Sequence, residues 1–362
     1  MKENRKYRYW LCCIRGIRNK TKRMLVNYCG SAKEIYDLKR EQLLNIKGIK
    51  EKEADLIIEG KCSWDLEKEA DHLSGLGISM VTIEDEIFPS RLLELPDCPY
   101  GLFYIGKLPE TEERLAAVVG ARRCSSYGKN VAEQLGRRFA SAGIGVVSGM
   151  AAGIDSFGHW GAIHGNGKTY AILGCGIDIC YPQGAKELYH KIAEQGAVIS
   201  EYPPGREPVA WQFPARNRLI SAFCDIIIVV EAKKRSGSLI TADFALEQGK
   251  EIYAVPGRLD DALSYGCNRL IAQGAGIVTS IDDLFLELGI TDCLDGRQSE
   301  KRKNLLEKEE LLVYSCFDLH TKNIEELVQM TDLPAAKVAD ILMRLCSAGW
   351  IEESFKNYYS KK

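Results

Sequence analysis

Long hydrophobic runs are missing from this 362-residue chain. Its most extended apolar stretches, such as IIIVV at 226–230, fall far short of a membrane span. The basic start, MKENRKYRYW, lacks the apolar core and small-residue cleavage site of a secretory signal, so a cytoplasmic protein is expected. An excess of one charge is missing too. The 48 Lys and Arg face 50 Asp and Glu, for a formal net charge of −2. That makes FPARNRLISAFCD (213–225), with two arginines around an asparagine just before an apolar strand, a local arrangement in need of a reason. Cysteine is plentiful, at 13, but no C-x-x-C pair occurs and the five histidines stand apart from the cysteines. Zinc sites need ligand pairs at short spacing, so no metal is expected. A structural role for the cysteines, in place of metal or disulfide, agrees with a reducing compartment. Cys175, Cys224 and Cys346 are expected to serve as small buried side chains.

Two phosphate-binding signatures are absent as well. No G-x-G-x-x-G follows the first strand of the central region, which argues against ordinary dinucleotide binding. AIHGNGKT (162–169) nearly copies a P-loop, but Ala162 holds the first glycine position. The stretch also precedes a strand instead of joining strand to helix.

The length predicts two or three domains. Residues 1–75 read as a helical module. In LLNIKGIKEKEADLII (43–58), apolar residues lead to a turn at Gly48, and Ala54, Ile57 and Ile58 recur at helical spacing. This has the form of a helix-hairpin-helix, or equally of a plain helical hairpin. Between Lys2 and Arg23 stand nine Lys or Arg and one Glu, a solvated basic face or a nucleic-acid contact. Residues 76–112 form a connecting layer with an extended segment. From 113 to 290, strands at 115–119, 144–147, 169–173, 197–199, 225–230, 251–255 and 276–279 alternate with helices. Their short, continuous apolar character predicts an α/β fold with a doubly wound, mostly parallel sheet. Residues 291–303 read as a linker, and 304–362 as a winged helix. This last module has ten basic against ten acidic residues from Lys301 on. Its neutrality favours a protein-contact or structural module over a DNA-reading one.

The chemistry is expected in the loops after the strands, because ligands on such sheets collect at the carboxyl ends. Six of these loops are rich in glycine or basic residues: VVGARRCSSYG, SGMAAGIDSFGHWGA, GCGIDICYP, SEYPPG, EAKKRSGSLITA and PGRLDDALSYGCNRLI. Small residues permit close backbone approach, helix N-termini offer free amides, and arginine forks fit phosphate. Together they predict an anionic, phosphate-bearing ligand. Ser125 or Ser126 is expected to cap a helix, and another helix to start near Asp155. Asp155 and His159 make a conceivable acid/base pair, but a cap and a polar brace are the simpler roles. Pro214 suits a first helical turn. Arg216 and Arg218 cannot share a helix face, so one should point at the ligand while the other braces Glu201 or Glu231. Asn217 suits a base edge, a phosphate or a loop carbonyl. Phe213, Tyr127, Tyr181 and Tyr202 are candidates for base stacking, with packing the expectation for most.

The ordered set VVGAR, SGMAAGID, His159, YP, SE, FPARNRLIS, VVEA, SGSLITA, VPG and GCNRLI, followed by GAG, resembles the DNA processing protein DprA (Smf) family over about 113–280. The resemblance implies an extended Rossmann-like domain that binds single-stranded DNA. It also implies a homodimer, a RecA recombinase partner loaded onto the bound strand as in natural transformation, no cofactor and no catalytic residues. Carried over, the DNA-binding positions are Arg122, Arg216, Asn217 and Arg218, Ser236, Gly237 and Ser238, and Asn268; the loop reading adds Arg123, Gly149 and Gly153 as DNA-binding candidates. The chain departs from the family pattern at Ala121, where a hydroxyl residue is usual, and at Cys267, where Thr is frequent. A second reading, by fold analogy, is an enzyme acting on a nucleotide or sugar phosphate with Glu201 and Glu231 as its carboxylates.

Overall fold

Alternation decides which way each central strand packs. In the strand Leu115–Val119, Ala117 and Val119 face one apolar core while Ala116 and Val118 face another, so both faces of the sheet are buried. The computed structural model describes residues 2–290, 308–317, 322–347, 350–355 and 357–361. The chain divides into two compact units, Met1–Thr291 and Asp292–Lys362.

The first unit opens with six helices, α1 (Lys2–Cys13), α2 (Asn19–Cys29), α3 (Ala32–Asp37), α4 (Arg40–Leu44), α5 (Glu51–Cys62) and α6 (Leu66–Gly75). They bury a core of their own around Trp10, Leu25, Ile35, Leu43 and Ile57, which Tyr100 joins. The turn between α4 and α5 carries Gly48 at φ 101°, a left-handed conformation that glycine adopts without strain. The connecting layer supplies two strands, β1 (Ser79–Thr82) and β2 (Gly101–Gly106), which pair antiparallel.

Then come β3 (Leu115–Val119), α7 (Ser126–Ser141), β4 (Gly145–Ser148), α8 (Ile154–His164), β5 (Thr169–Leu173), α9 (Lys186–Gln195) and β6 (Ala197–Ser200). They are followed by α10 (Gln212–Phe223), β7 (Ile226–Val229), α11 (Gly237–Glu247), β8 (Glu251–Ala254), α12 (Tyr265–Ala272), β9 (Gly276–Ile277) and α13 (Ile281–Glu287). All seven strands expected between 113 and 290 are present. The sheet runs β1-β2-β6-β5-β4-β3-β7-β8-β9, and β3 to β9 are parallel to their neighbours while β2 meets β6 antiparallel. Strand order reverses between β3 and β7. This is the topological switch point, where loops leaving adjacent strands turn to opposite faces and open a crevice. The near-P-loop sits at the far end of the sheet, in the turn from α8 into β5, as its context predicted.

The second unit has helices α14 (Lys308–Ser315), α15 (Ile324–Thr331) and α16 (Ala335–Ser347). Strands β11 (Ile351–Phe355) and β12 (Tyr358–Lys361) form the expected wing, and a short β10 (Lys322–Asn323) adds a third strand. Asp332 and Asn357 take left-handed φ at the two turns, and Val338, Ile341, Leu342 and Leu345 of α16 fill the core. The expected linker at 291–303 lies outside the described residues.

Candidate functional site

The switch-point crevice is a cleft of ≈ 440 Å³ between the β3–α7 loop, the β7–α11 loop and the first turns of α10. The β3–α7 loop brings Arg122 and Arg123 to it, and the β7–α11 loop brings Lys233, Arg235, Ser236, Gly237 and Ser238. Arg122, Arg123, Lys233 and Arg235 are exposed. Among the described residues no carboxylate forms an ion pair with any of these four. Between them, α11 begins at Gly237 with Ser236 as its cap residue, so the unpaired amides of its first turn lie at the rim. The Ser236 and Ser238 hydroxyls stand 2.8 Å apart. A Cβ at Gly237 would meet nothing within 4 Å, so this position borders open space.

The rim is held by its neighbours. Ser125 caps α7 by accepting from Gly128 N at 3.0 Å, and its own amide donates to a Glu231 carboxylate oxygen at 2.9 Å. Glu231 is thereby a buried strut between the two loops. Arg122 lies over the ring of Phe213 at 5.5 Å, and Phe213 in turn tilts against Tyr181 at 5.2 Å. Tyr127 and Tyr181 are 56% and 41% exposed, so the packing expected for most of the loop aromatics does not hold for them. Tyr127 lies in the first turn of α7 and Tyr181 in the loop after β5.

The floor is different. Arg216 is 4% exposed, and its guanidinium Nη1 donates to Gly149 O at 3.0 Å and to Ile172 O. Burial lowers its pKa to about 10, which leaves it charged at neutral pH. Asp155, one residue into α8, accepts from Gly149 N at 3.1 Å and Ala151 N at 3.4 Å, and burial raises its carboxyl above the usual range. It is the nearby opposite charge that offsets Arg216. Gly149 has no side chain because a Cβ there would sit 2.5 Å from the Arg216 guanidinium. Gly153, at φ 82°, lets the chain turn into α8, and a Cβ there would sit 2.3 Å from Ala121 O. His159 is fully buried; its Nδ1 is 2.7 Å from Thr169 Oγ1, and Nε2 has no hydrogen-bond partner among the described residues. Burial, with the charge of Arg216, drops its pKa to about 3, so it is neutral.

Asn217 joins floor to rim: its Oδ1 accepts from Arg216 Nε and its Nδ2 donates to Gly237 O at 3.1 Å. Arg218 points the other way and clamps Glu201 with two bonds of 2.9 and 2.8 Å, the bracing role expected for one of the pair. Asn268 closes on Gly257, accepting from its N and donating to its O. The structure therefore gathers Arg122, Arg123, Asn217, Ser236, Gly237 and Ser238 around one cleft, with Arg216 beneath it. Gly149, Gly153, Arg218 and Asn268 shape its surroundings without lining it. Glu201 and Glu231 are both spent on struts and do not line it either. Cys267 is buried against Val229 O, so it faces the sheet. Lys233 and Arg235 were not singled out from the sequence. The signal was there, in KKR directly after a strand and before SGS.

Fold and cleft together define a doubly wound, Rossmann-like α/β protein with an anion-receptive cleft at its switch point. The comparison with known proteins agrees with that class. The chain belongs to the DNA recombination-mediator protein A family, whose model matches residues 79–289, and a SAM-like helix-hairpin-helix tandem matches 11–60. It is 43% identical to the DNA processing protein DprA of Streptococcus pneumoniae over 206 residues, 57% of this chain and 73% of the relative. It is 35% identical to protein Smf of Escherichia coli over 302 residues, 81% of this chain and 78% of the relative. The crystal structure of the Streptococcus pneumoniae protein superposes with a TM-score of 0.66 at 34% identity, covering 78% of this chain and 97% of the other. DNA processing protein A from Helicobacter pylori, described for its single-stranded DNA binding mode, superposes with a TM-score of 0.53 at 30% identity, covering 58% of this chain and 95% of the other.

Proposed function

We propose that this chain binds single-stranded DNA in the switch-point cleft and, acting as a homodimer, delivers the strand to the RecA recombinase. One observation carries the reading: four exposed cations without carboxylate partners among the described residues surround the free amide end of α11 in a single cleft. A phosphate placed there gains arginine forks, a lysine and backbone donors at once, and a flexible strand can follow the rim from one loop to the next. Phe213, under Arg122, offers an aromatic edge beside the phosphates. In this reading residues 1–75 and 76–290 form the DNA-handling body, 291–303 links, and 304–362 is a separate contact module.

The test is a titration of the full chain with oligothymidylate, a duplex and a mononucleotide at two salt concentrations. Single strands should bind best, with log K falling by about 0.7 per neutralised phosphate against log salt. A mononucleotide binding as well as the oligomer, with no salt slope, defeats the proposal. Delivery is measured as RecA filament growth on long single strands, which wild type should accelerate and Arg122→Ala should not.

A further inference from the structure

The nine basic residues between Lys2 and Arg23 do not share one fate. Lys6 pairs with Glu67, Arg8 pairs with Glu84 and Asp85, and Lys22 is buried with its Nζ donating to Cys12 O. Arg15, Arg18 and Lys20, at the α1–α2 turn, are exposed and form no ion pair among the described residues. They stand on one wall of a second groove, of ≈ 610 Å³, whose other wall is the segment from β6 into α10. Six cationic side chains line this groove, those of residues 15, 18, 20, 22, 206 and 218, against the carboxylates Asp97 and Glu201. Glu201 is consumed by Arg218, so the open face is positive.

An aromatic ring waits in the same groove. Trp211 is 57% exposed, and Tyr202 packs edge-on to it at 6.4 Å, which restrains the indole without covering it. An exposed indole lining a positive groove is a platform on which an unpaired base can stack. Trp211 and Phe213 lie two residues apart at the start of α10. Phe213 lines the switch-point cleft and Trp211 lines the groove. The first turn of α10 is therefore a shared wall between two positive channels, each with an aromatic at its mouth.

We infer that a DNA strand held in the cleft crosses this wall and continues into the groove, where Arg15, Arg18 and Lys20 hold backbone phosphates and Trp211 stacks on a base. The inference rests on the proposed binding of single strands in the cleft. It assigns the helical module a direct share of the DNA path through its α1–α2 turn, away from the Gly48 hairpin. Cations in a groove with one stacking ring suit a polyanion with unpaired bases, since each element repeats along the strand and reads no sequence.

The experiment titrates the full chain with an oligothymidylate ladder from about 4 to about 16 nucleotides, the span of known single-strand site sizes. Wild type is compared with the triple variant Arg15→Ala, Arg18→Ala, Lys20→Ala and with Trp211→Ala. The shortest oligomers should bind all three alike. The longest should bind wild type roughly tenfold more tightly than either variant, the scale of one stacked base. The salt slope of the triple variant should fall by roughly 2 for long oligomers only. Trp211 should also dominate fluorescence quenching by long oligomers. Equal length dependence in all three proteins overturns the groove while leaving the cleft reading intact. Failure of every oligomer to bind wild type overturns both. All four altered side chains are exposed, so unchanged urea midpoints will show that the folds are comparable.

Discussion

The floor and the rim of the cleft are built from the same kinds of residue and do opposite things. Arg216 on the floor spends its guanidinium on two backbone carbonyls and balances a buried Asp155. Arg122, Arg123 and Arg235 on the rim stand in water with no carboxylate partners among the described residues. A buried arginine costs its desolvation whether or not a ligand arrives, so it must be paired at all times. An exposed one keeps its hydration until a phosphate replaces it. The comparison teaches that an arginine beside a ligand site is a structural or a binding residue according to its partners, and that the partners come from the fold.

The comparison breaks most decisively at Arg216. Arg216→Met should destabilise the chain by about 3 kcal/mol, since two buried carbonyls and Asp155 lose their partner. A lowered urea midpoint measures this, and an unchanged midpoint would return Arg216 to the ligand. Next comes the neutral His159. Its folded pKa of about 3 lies below the unfolded value of about 6.5, so below pH 6.5 the unfolded chain takes up a proton that the native chain refuses. Stability contributed by this group is complete above that pH and falls as the solution is acidified, by about 2 kcal/mol at about pH 5. Asp155, whose pKa is raised by burial, works in the opposite direction, its contribution improving as the pH falls towards the ordinary carboxylate range. Urea midpoints of wild type and His159→Gln at two pH values isolate the histidine, and parallel curves would refute the assignment.

The rim predicts the reverse pattern. Arg122→Ala or Arg235→Ala should leave stability within about 0.5 kcal/mol and weaken single-strand binding by about 1.5 kcal/mol. A variant that loses both in equal measure would erase the distinction between rim and floor. The smallest effect is expected from Phe213→Leu. It keeps the packing and removes the ring beneath Arg122, a loss of about 0.5 kcal/mol in binding at a partly exposed site.

Much of the rim was legible from residue order alone. Gly-rich and basic loops follow apolar strands in VVGARR and KKRSGS, and a parallel sheet must deliver all such loops to one edge. The floor was not. FPARNRLIS places Arg216, Asn217 and Arg218 side by side, and nothing in that string says that the first is buried, the second bridges and the third turns away to Glu201. Nor does the basic run before Arg23 reveal which of its members meet carboxylates from distant helices and which are left over.

By itself the sequence determined the parallel sheet, its strand order in the chain and the side of the sheet that carries the chemistry, because these follow from local periodicity and turn residues. Only the tertiary structure decided which arginines remain free. Pairing depends on which carbonyls and carboxylates, tens of residues away, come within hydrogen-bond reach, and burial makes that pairing obligatory.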